Sequence, residues 1–155
     1  TGSKNDSKIP HQLIMSDTLS TAGRVKDPGI RALYTQDSRW QSWLDVEAAL
    51  AKAQAELDII PKEAALAIAK AADLQLFDRE RVREGFERTA HTLVPLVWEL
   101  GRIVGEPHGG WVHWGATSQD VLDTALTLQA RAAGAELQAQ LARTTWVGCS
   151  EDRRS

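Results

Sequence analysis

The chain has 155 residues, 43% of them hydrophobic, which is enough to bury one core and form one domain. Its net charge of -3 provides no basic face, so we expect no nucleic-acid partner. The single cysteine, Cys149, excludes an intrachain disulfide and favours a cytoplasmic location. No apolar run approaches the ~20 residues of a membrane span, so we expect no membrane partner.

The first stretch of the chain does not have the pattern of a folded element. Residues 1–14 are polar, lack helical periodicity and precede the only methionine, Met15. We interpret them as a leader outside the fold. Asp27 followed by Pro28 is typical of a helix cap and first turn, and predicts a short helix ending near Tyr34.

Apolar residues then recur at steps of three and four, which predicts an amphipathic helix from Gln36 to about Asp58, capped by Thr35. A helical aromatic stripe is more often core than a stacking platform, so we assign its two tryptophans to the core. The face consists of Trp40, Trp43, Leu44, Glu47, Leu50, Ala51, Gln54 and Leu57.

Three more helices follow before Gly105. We predict them over residues 61–72, 78–88 and about 96–104, the last ending at Gly105, with a break over residues 73–77. The alternating charges of the second predict a solvated face.

Between the last two of these helices lie Thr89 and His91. Residues two apart on a helix point to different faces, so a ligand shared by this pair requires an irregular backbone or a helix end. Taken alone, His91 is most simply a helix-capping or satisfied core histidine.

The stretch WVHWGATSQDVLDTA, from Trp111 to Ala125, predicts a loop that turns into a helix. Thr117 and Asp120 have the spacing of a capping box. With Ser118 in the first turn, two hydroxyls lie beside the positive end of the helix, which suits a carboxylate or phosphate. On the local pattern alone, simple capping is the commoner explanation.

Histidines near this loop have several interpretations. Desolvation between Trp111 and Trp114 would tune His113 for proton transfer, whereas a simple hydrogen bond to the loop backbone is the more ordinary alternative. We expect His108 to be exposed. The spacing of His91, His108 and His113 matches no compact ligand motif, so we expect no metal.

From Thr117 to about Arg143 the apolar positions occupy more than one stripe, so this helix needs neighbours on several sides. We therefore expect the chain to self-associate as a dimer or a larger assembly. Residues 144–155 match no pattern that we can place, and we interpret them as a non-matching tail.

The run HWGATSQD from His113, followed by Asp123 and Thr124, resembles the first signature of the fumarase/aspartase superfamily, H-x-G-x-T-S-x-D-x-x-D-T. The residues of this run are most similar to those of the bacterial 3-carboxy-cis,cis-muconate cycloisomerases and adenylosuccinate lyase-like proteins. Residues 43–54 also resemble the W-L-x-x-E-x-A-L-A-x-A-Q pattern of that superfamily's first long helix. Thr89 and His91 match the T-x-H motif of adenylosuccinate lyases, while the cycloisomerases tend to differ at the His91 position.

The resemblance implies an all-α fold. Residues 15–116 would form an N-terminal helical domain, and residues 117–143 the start of the first long helix of a central helical bundle, here truncated. Family members are homotetramers whose sites combine residues from three subunits. They act without a cofactor, by β-elimination or its reverse on a small dicarboxylate or tricarboxylate, through an aci-carboxylate. The implied substrate-binding residues are Thr89, His91, His113, Thr117, Ser118 and Gln119.

No principal catalytic residue is assigned, and His113 is expected to line the site. The mobile-loop serine and second-region histidine of the family have no counterpart here, since no S-S-x-M-P-x-K-x-N run follows Asp120. We therefore expect the chain alone to be inactive. The alternative function is a non-catalytic helical self-association module.

Overall fold

A computed structural model describes residue 27 and residues 29–151, with side chains described as far as residue 143. All regular structure in these residues is helical, which confirms the all-α prediction. The predicted leader over residues 1–14 lies outside them. The helices are α1 Ile30–Leu33, α2 Gln36–Glu56, α3 Lys62–Ala71, α4 Arg79–Thr89, α5 Val94–Val104 and α6 Ser118–Glu151, with 3-10 turns at Leu74–Leu76 and Gly109–Trp111.

Side-chain caps at Thr35 and Asp78 define helix starts that the sequence predicted, whereas α1 begins at Ile30 with Gly29 as its N-cap, two residues later than the Asp27–Pro28 pair predicted. Asp27 Oδ1 accepts from the backbone of Gly29 and Arg31 at 3.2 and 3.4 Å. Thr35 Oγ1 accepts from Ser38 N at 3.2 Å at the start of α2. Asp78 accepts from two backbone N–H groups at the start of α4. Each cap satisfies donors that the first helical turn leaves free.

The core forms where α2, α3 and α5 pack together beneath the first turns of α6. Trp43 is buried and Trp40 packs against the core, as predicted. The prediction that Leu57 belongs to the apolar face was wrong. Helix α2 ends at Glu56, and Leu57 lies at its C-cap, where it is 72% exposed. The largest fully buried apolar side chains are Leu44, Ile68, Leu93, Leu96, Leu100 and Val121.

A buried carboxylate joins α5 to the start of α4. The Glu99 side chain is 1% exposed and accepts from Arg102 at 2.6 and 2.8 Å. It also accepts from the backbone N–H of Asp78 at 3.3 Å, and Arg81 lies 3.5 Å away. The Arg102 hydrogen bonds, which outweigh the effect of burial, lower the pKa of Glu99.

Helix α6 is one continuous helix of 34 residues, and its backbone extends beyond the predicted end near residue 143. Its buried residues are spaced by four: Val121, Ala125, Gln129 and Ala133. Gln129 Nε2 donates to the carbonyl of Leu33 at 2.5 Å, which attaches α1 to this stripe. Within the described residues, no helix combines the length and the apolar character of a bilayer span.

The buried Glu99 leads to a pH-dependent prediction. Glu99→Gln should lower the free energy of unfolding at pH 7 by about 1.5–3 kcal/mol, since hydrogen bonds to a charged group are lost. Because folding lowers the pKa of this carboxyl, its contribution is complete above the ordinary value of 4.5 and is lost as pH falls through the folded-state pKa. Urea unfolding from pH 7 to pH 3 should show the two proteins converging.

Glu84→Gln is the matched control, because Glu84 is an exposed acid on α4 beside the same arginines. It should change stability little at any pH. An equal loss for Glu99→Gln at pH 7 and pH 3 would contradict the electrostatic role.

Candidate active site

The loop between α5 and α6 is held close to α5 by a glycine contact. A Cβ atom at Gly109 would lie 2.5 Å from the carbonyl oxygen of Gly101, so only glycine fits this approach. The 3-10 turn that begins at Gly109 then carries the chain toward His113. His108, expected to be exposed, is instead half-buried, and its carbonyl accepts from Trp111 N in this turn.

His113 contacts a buried carboxylate on α2. Its Nδ1 lies 2.6 Å from Oε1 of Glu47, whose side chain is 1% exposed. Of the two predicted environments for His113, neither included this partner. The two indoles instead contact each other, with the rings of Trp111 and Trp114 4.8 Å apart between centroids.

The environment of Glu47 penalises its charge. Burial raises the pKa of Glu47, and the side-chain and backbone hydrogen-bonding groups of His113 partly oppose this effect. Oε2 of Glu47 is buried and has no hydrogen-bond partner among the described residues. The stability of the ionised carboxylate therefore depends strongly on His113.

A second side chain of α2 holds the next residue of the loop. Gln54 Nε2 donates to the carbonyl oxygen of Trp114 at 2.7 Å. Glu47 and Gln54 are seven residues apart, about two helical turns, so they project from the same face of α2. This face thus fixes the loop at two consecutive residues, directly before α6.

The residues predicted at the start of α6 are in place there. The backbone N–H of Thr117 donates to Asp120 Oδ2 at 3.2 Å, which is one of the two bonds of the predicted capping box. Ser118 is the first residue of α6 and is half-buried. Gln119 is exposed, and its Nε2 donates to Asp123 Oδ1 at 2.7 Å.

Thr89 and His91 lie at the predicted helix end. Helix α4 ends at Thr89, and Ala90 has a left-handed backbone with φ 53°. Thr89 Oγ1 accepts from His91 N at 3.2 Å, while Nδ1 of His91 accepts from the backbone N–H groups of Leu93 and Val94, both at 3.3 Å. The helix-capping interpretation of His91 is therefore confirmed.

The structure thus places the six predicted residues in two groups. His113, Thr117, Ser118 and Gln119 follow one another at the loop and α6, and Thr89 and His91 form the α4–α5 corner. Clefts of about 400, 590 and 750 Å³ open on the described surface, and none of the three is lined by any of the six. The second reaches Thr92, next to His91.

Glu47 is the residue of this region that sequence reasoning did not assign. The available signal was its position as the one acid in an otherwise apolar or uncharged helical face. A buried acid requires a partner, but the spacing along α2 does not reveal which residue supplies it. As for metals, the described residues contain no group of three His, Cys, Asp or Glu side chains that could hold an ion.

Comparisons with known proteins assign the chain to a family. A family model described as Lyase matches residues 23–145. The adenylosuccinate lyase of Methanocaldococcus jannaschii is 42% identical over 105 residues, which are 68% of this chain and 23% of that protein. The N-acetyl-S-(2-succino)cysteine lyase of Dickeya dadantii is 37% identical over 117 residues, which are 76% of this chain and 26% of that protein.

A solved structure shows the same relationship. The beta-carboxy-cis,cis-muconate cycloisomerase of Acinetobacter calcoaceticus sp. ADP1 is 31% identical with a TM-score of 0.76, covering 85% of this chain and 32% of that one. The chain belongs to the lyase family of the fumarase/aspartase superfamily, as its signature predicted. It spans about a quarter of the length of these curated relatives.

The capping role of His91 can be tested by substitution. His91→Ala removes the acceptor for two N–H groups at the start of α5 and should lower the free energy of unfolding by about 1 kcal/mol. His91→Asn, whose amide oxygen can accept the same bonds, should lose less. Thr92→Ala, at the exposed neighbouring position, is the control for chemical denaturation. Equal stability of His91→Ala and Thr92→Ala would contradict the cap.

Proposed function

We propose that this chain is the N-terminal part of an enzyme that carries out β-elimination, or the reverse addition, on a carboxylate substrate. The observation that carries the proposal is the attachment of the signature loop to α2 by Glu47 and Gln54. This attachment fixes the direction in which the loop enters α6. The hydroxyls of Thr117 and Ser118 thereby lie beside the positive end of a long helix.

Those groups suit the charge that such a reaction develops. Removing a proton next to a carboxylate produces an aci-carboxylate, whose second negative charge requires donors already in position. Two hydroxyls and the free backbone N–H groups of a helix start are donors of this kind. We assign substrate binding to Thr117, Ser118 and Gln119, with His113 lining the same site.

The named relatives define the proposed substrate class. Their names specify adenylosuccinate, a succino-substituted cysteine and a carboxymuconate, and each of these is a carboxylate. We propose a small dicarboxylate or tricarboxylate for this protein. Thr89 and His91 complete the proposed binding residues, and they match the adenylosuccinate lyase motif. Because the relatives include an adenylosuccinate lyase and a cycloisomerase, both C–N cleavage and lactone closure belong in the assays.

We further propose that the complete site combines several chains, as in a homotetramer. Two features support this assembly: the six proposed residues share none of the three described clefts, and Leu126, Leu128 and Leu137 of α6 are exposed. The chain alone should have no lyase activity. The same exposed leucines favour the second candidate function, a non-catalytic module for helical self-association.

A chimera tests the catalytic proposal. Residues 27–143 would replace the matching segment of the Acinetobacter cycloisomerase, and the chimera would be assayed with 3-carboxymuconate and with adenylosuccinate. Ser118→Ala should lower its kcat on the order of 100-fold, because one donor to the developing charge is lost. Thr127→Ala, which removes an exposed hydroxyl farther along α6, should leave kcat unchanged.

Equal kcat values for the Ser118→Ala and Thr127→Ala chimeras would contradict the role of Ser118. An assembled, folded chimera without turnover on either substrate would favour the self-association module. Turnover by the isolated chain would show that the site needs fewer residues than proposed.

Self-association has its own test. Leu126 and Leu137 are 56% and 51% exposed on α6, so an interface along this helix would bury both. Leu126→Glu and Leu137→Glu should each weaken association at least tenfold, because each would bury an unpaired charge. Leu66→Glu is the control, since Leu66 is 73% exposed on α3. Sedimentation at micromolar concentration gives the measurement, and a monomeric wild type would contradict the proposed interface.

A further inference from the structure

The two ring nitrogens of His113 lie in different surroundings. Nδ1 is 2.6 Å from Oε1 of Glu47, and the carboxylate of Glu47 is almost completely buried. The His113 side chain retains 18% exposure. Since the two nitrogens lie on opposite sides of an imidazole ring, Nε2 faces away from the buried carboxylate and remains available to another group.

Whether the shared proton lies on Glu47 or on His113 determines whether Nε2 donates or accepts a hydrogen bond. An ionised carboxylate only accepts, so Nδ1 must then carry the hydrogen, and Nε2 of the neutral ring has a free lone pair. A protonated Glu47 would instead donate to Nδ1, and the ring hydrogen would lie on Nε2. The first arrangement makes Nε2 an acceptor, and the second makes it a donor.

Geometry favours the first arrangement. A separation of 2.6 Å is shorter than the usual 2.9–3.0 Å of a neutral N–H···O bond and is closer to charge-assisted bonds. The backbone N–H of His113 also stabilises the charged form of Glu47. Both features favour the ionised carboxylate as the acceptor.

The backbone at His113 adds a reason for a fixed partner. His113 has a left-handed backbone with φ 59°, which is uncommon for a residue with a side chain. The bond from Nδ1 to Glu47 and the bond from Gln54 to the following carbonyl hold this conformation on both sides. The orientation of the ring is therefore set by α2.

We propose that Glu47 is the positioning residue of His113: its ionised carboxylate keeps the hydrogen on Nδ1 and makes Nε2 a hydrogen-bond acceptor. His113 then binds an N–H or O–H group of a ligand. Its neutral ring does not donate to a carboxylate. That this ligand is the substrate rests on the proposed function, whereas the position of the proton does not.

Long-range ¹H–¹⁵N correlation spectra of the ¹⁵N-histidine-labelled chain at pH 8 test the inference. His113 should show a protonated Nδ1 and an unprotonated Nε2. His91 is an internal reference with the opposite pattern, because its Nδ1 accepts two backbone bonds. A His113→Gln variant identifies the signals of His113.

Three variants separate positioning from simple packing. Glu47→Gln retains an amide oxygen that can accept, so the hydrogen should stay on Nδ1. Glu47→Leu fills similar space without an acceptor, and the Nε2–H form should appear. Glu99→Gln, at the other buried glutamate, should leave the His113 signals unchanged.

An unprotonated Nδ1 or a protonated Nε2 in the wild-type chain would overturn the proposal, as would an unchanged His113 spectrum in folded Glu47→Leu. If Glu47→Leu does not fold, the wild-type and Glu47→Gln spectra still decide the question. Because this readout needs no turnover, an inactive chimera together with the expected spectrum would reject the proposed function and retain the positioning role.

Discussion

A buried carboxylate must be paired, and in this chain the pairing of Glu47 determines how the signature loop is placed. The partner comes from a loop sixty-six residues farther along the chain. By binding His113, Glu47 joins the first long helix to the segment that leads into the last one. The helix α2 therefore has two functions, since one set of its residues packs in the core and another, Glu47 with Gln54, orients the loop.

Periodicity and capping chemistry were sufficient to predict the helices. Thr35, Asp78 and Gly105 each mark a boundary through local chemistry, either a side-chain cap or a residue that tolerates a left-handed backbone, so their effects are visible in the sequence. Leu57 shows where the same reasoning fails. The three-and-four apolar pattern includes Leu57 although α2 ends at Glu56, so periodicity alone does not show where a helix ends.

The site was predicted less completely, for a physical reason. The sequence predicted the loop before α6 and the capping option for His91, both of which depend on neighbours within a few positions. The contact of His113 with Glu47 joins residues 66 positions apart, and no local pattern specifies it. The indole pair shows the same limit: two tryptophans around a histidine suggested that they enclose it, whereas the rings of Trp111 and Trp114 pack on each other.

The two buried glutamates respond to pH in opposite directions. Above the ordinary carboxyl value of 4.5, the raised pKa of Glu47 makes the fold less stable as pH increases, because the folded protein holds that proton longer than the unfolded chain. Below 4.5, the lowered pKa of Glu99 makes the fold less stable as pH decreases. Their combined contribution is therefore greatest near pH 4.5. The proposed position of the hydrogen on Nδ1 of His113 requires a charged Glu47 at neutral pH, and the raised pKa means that this charge lowers the stability of the fold relative to pH 4.5.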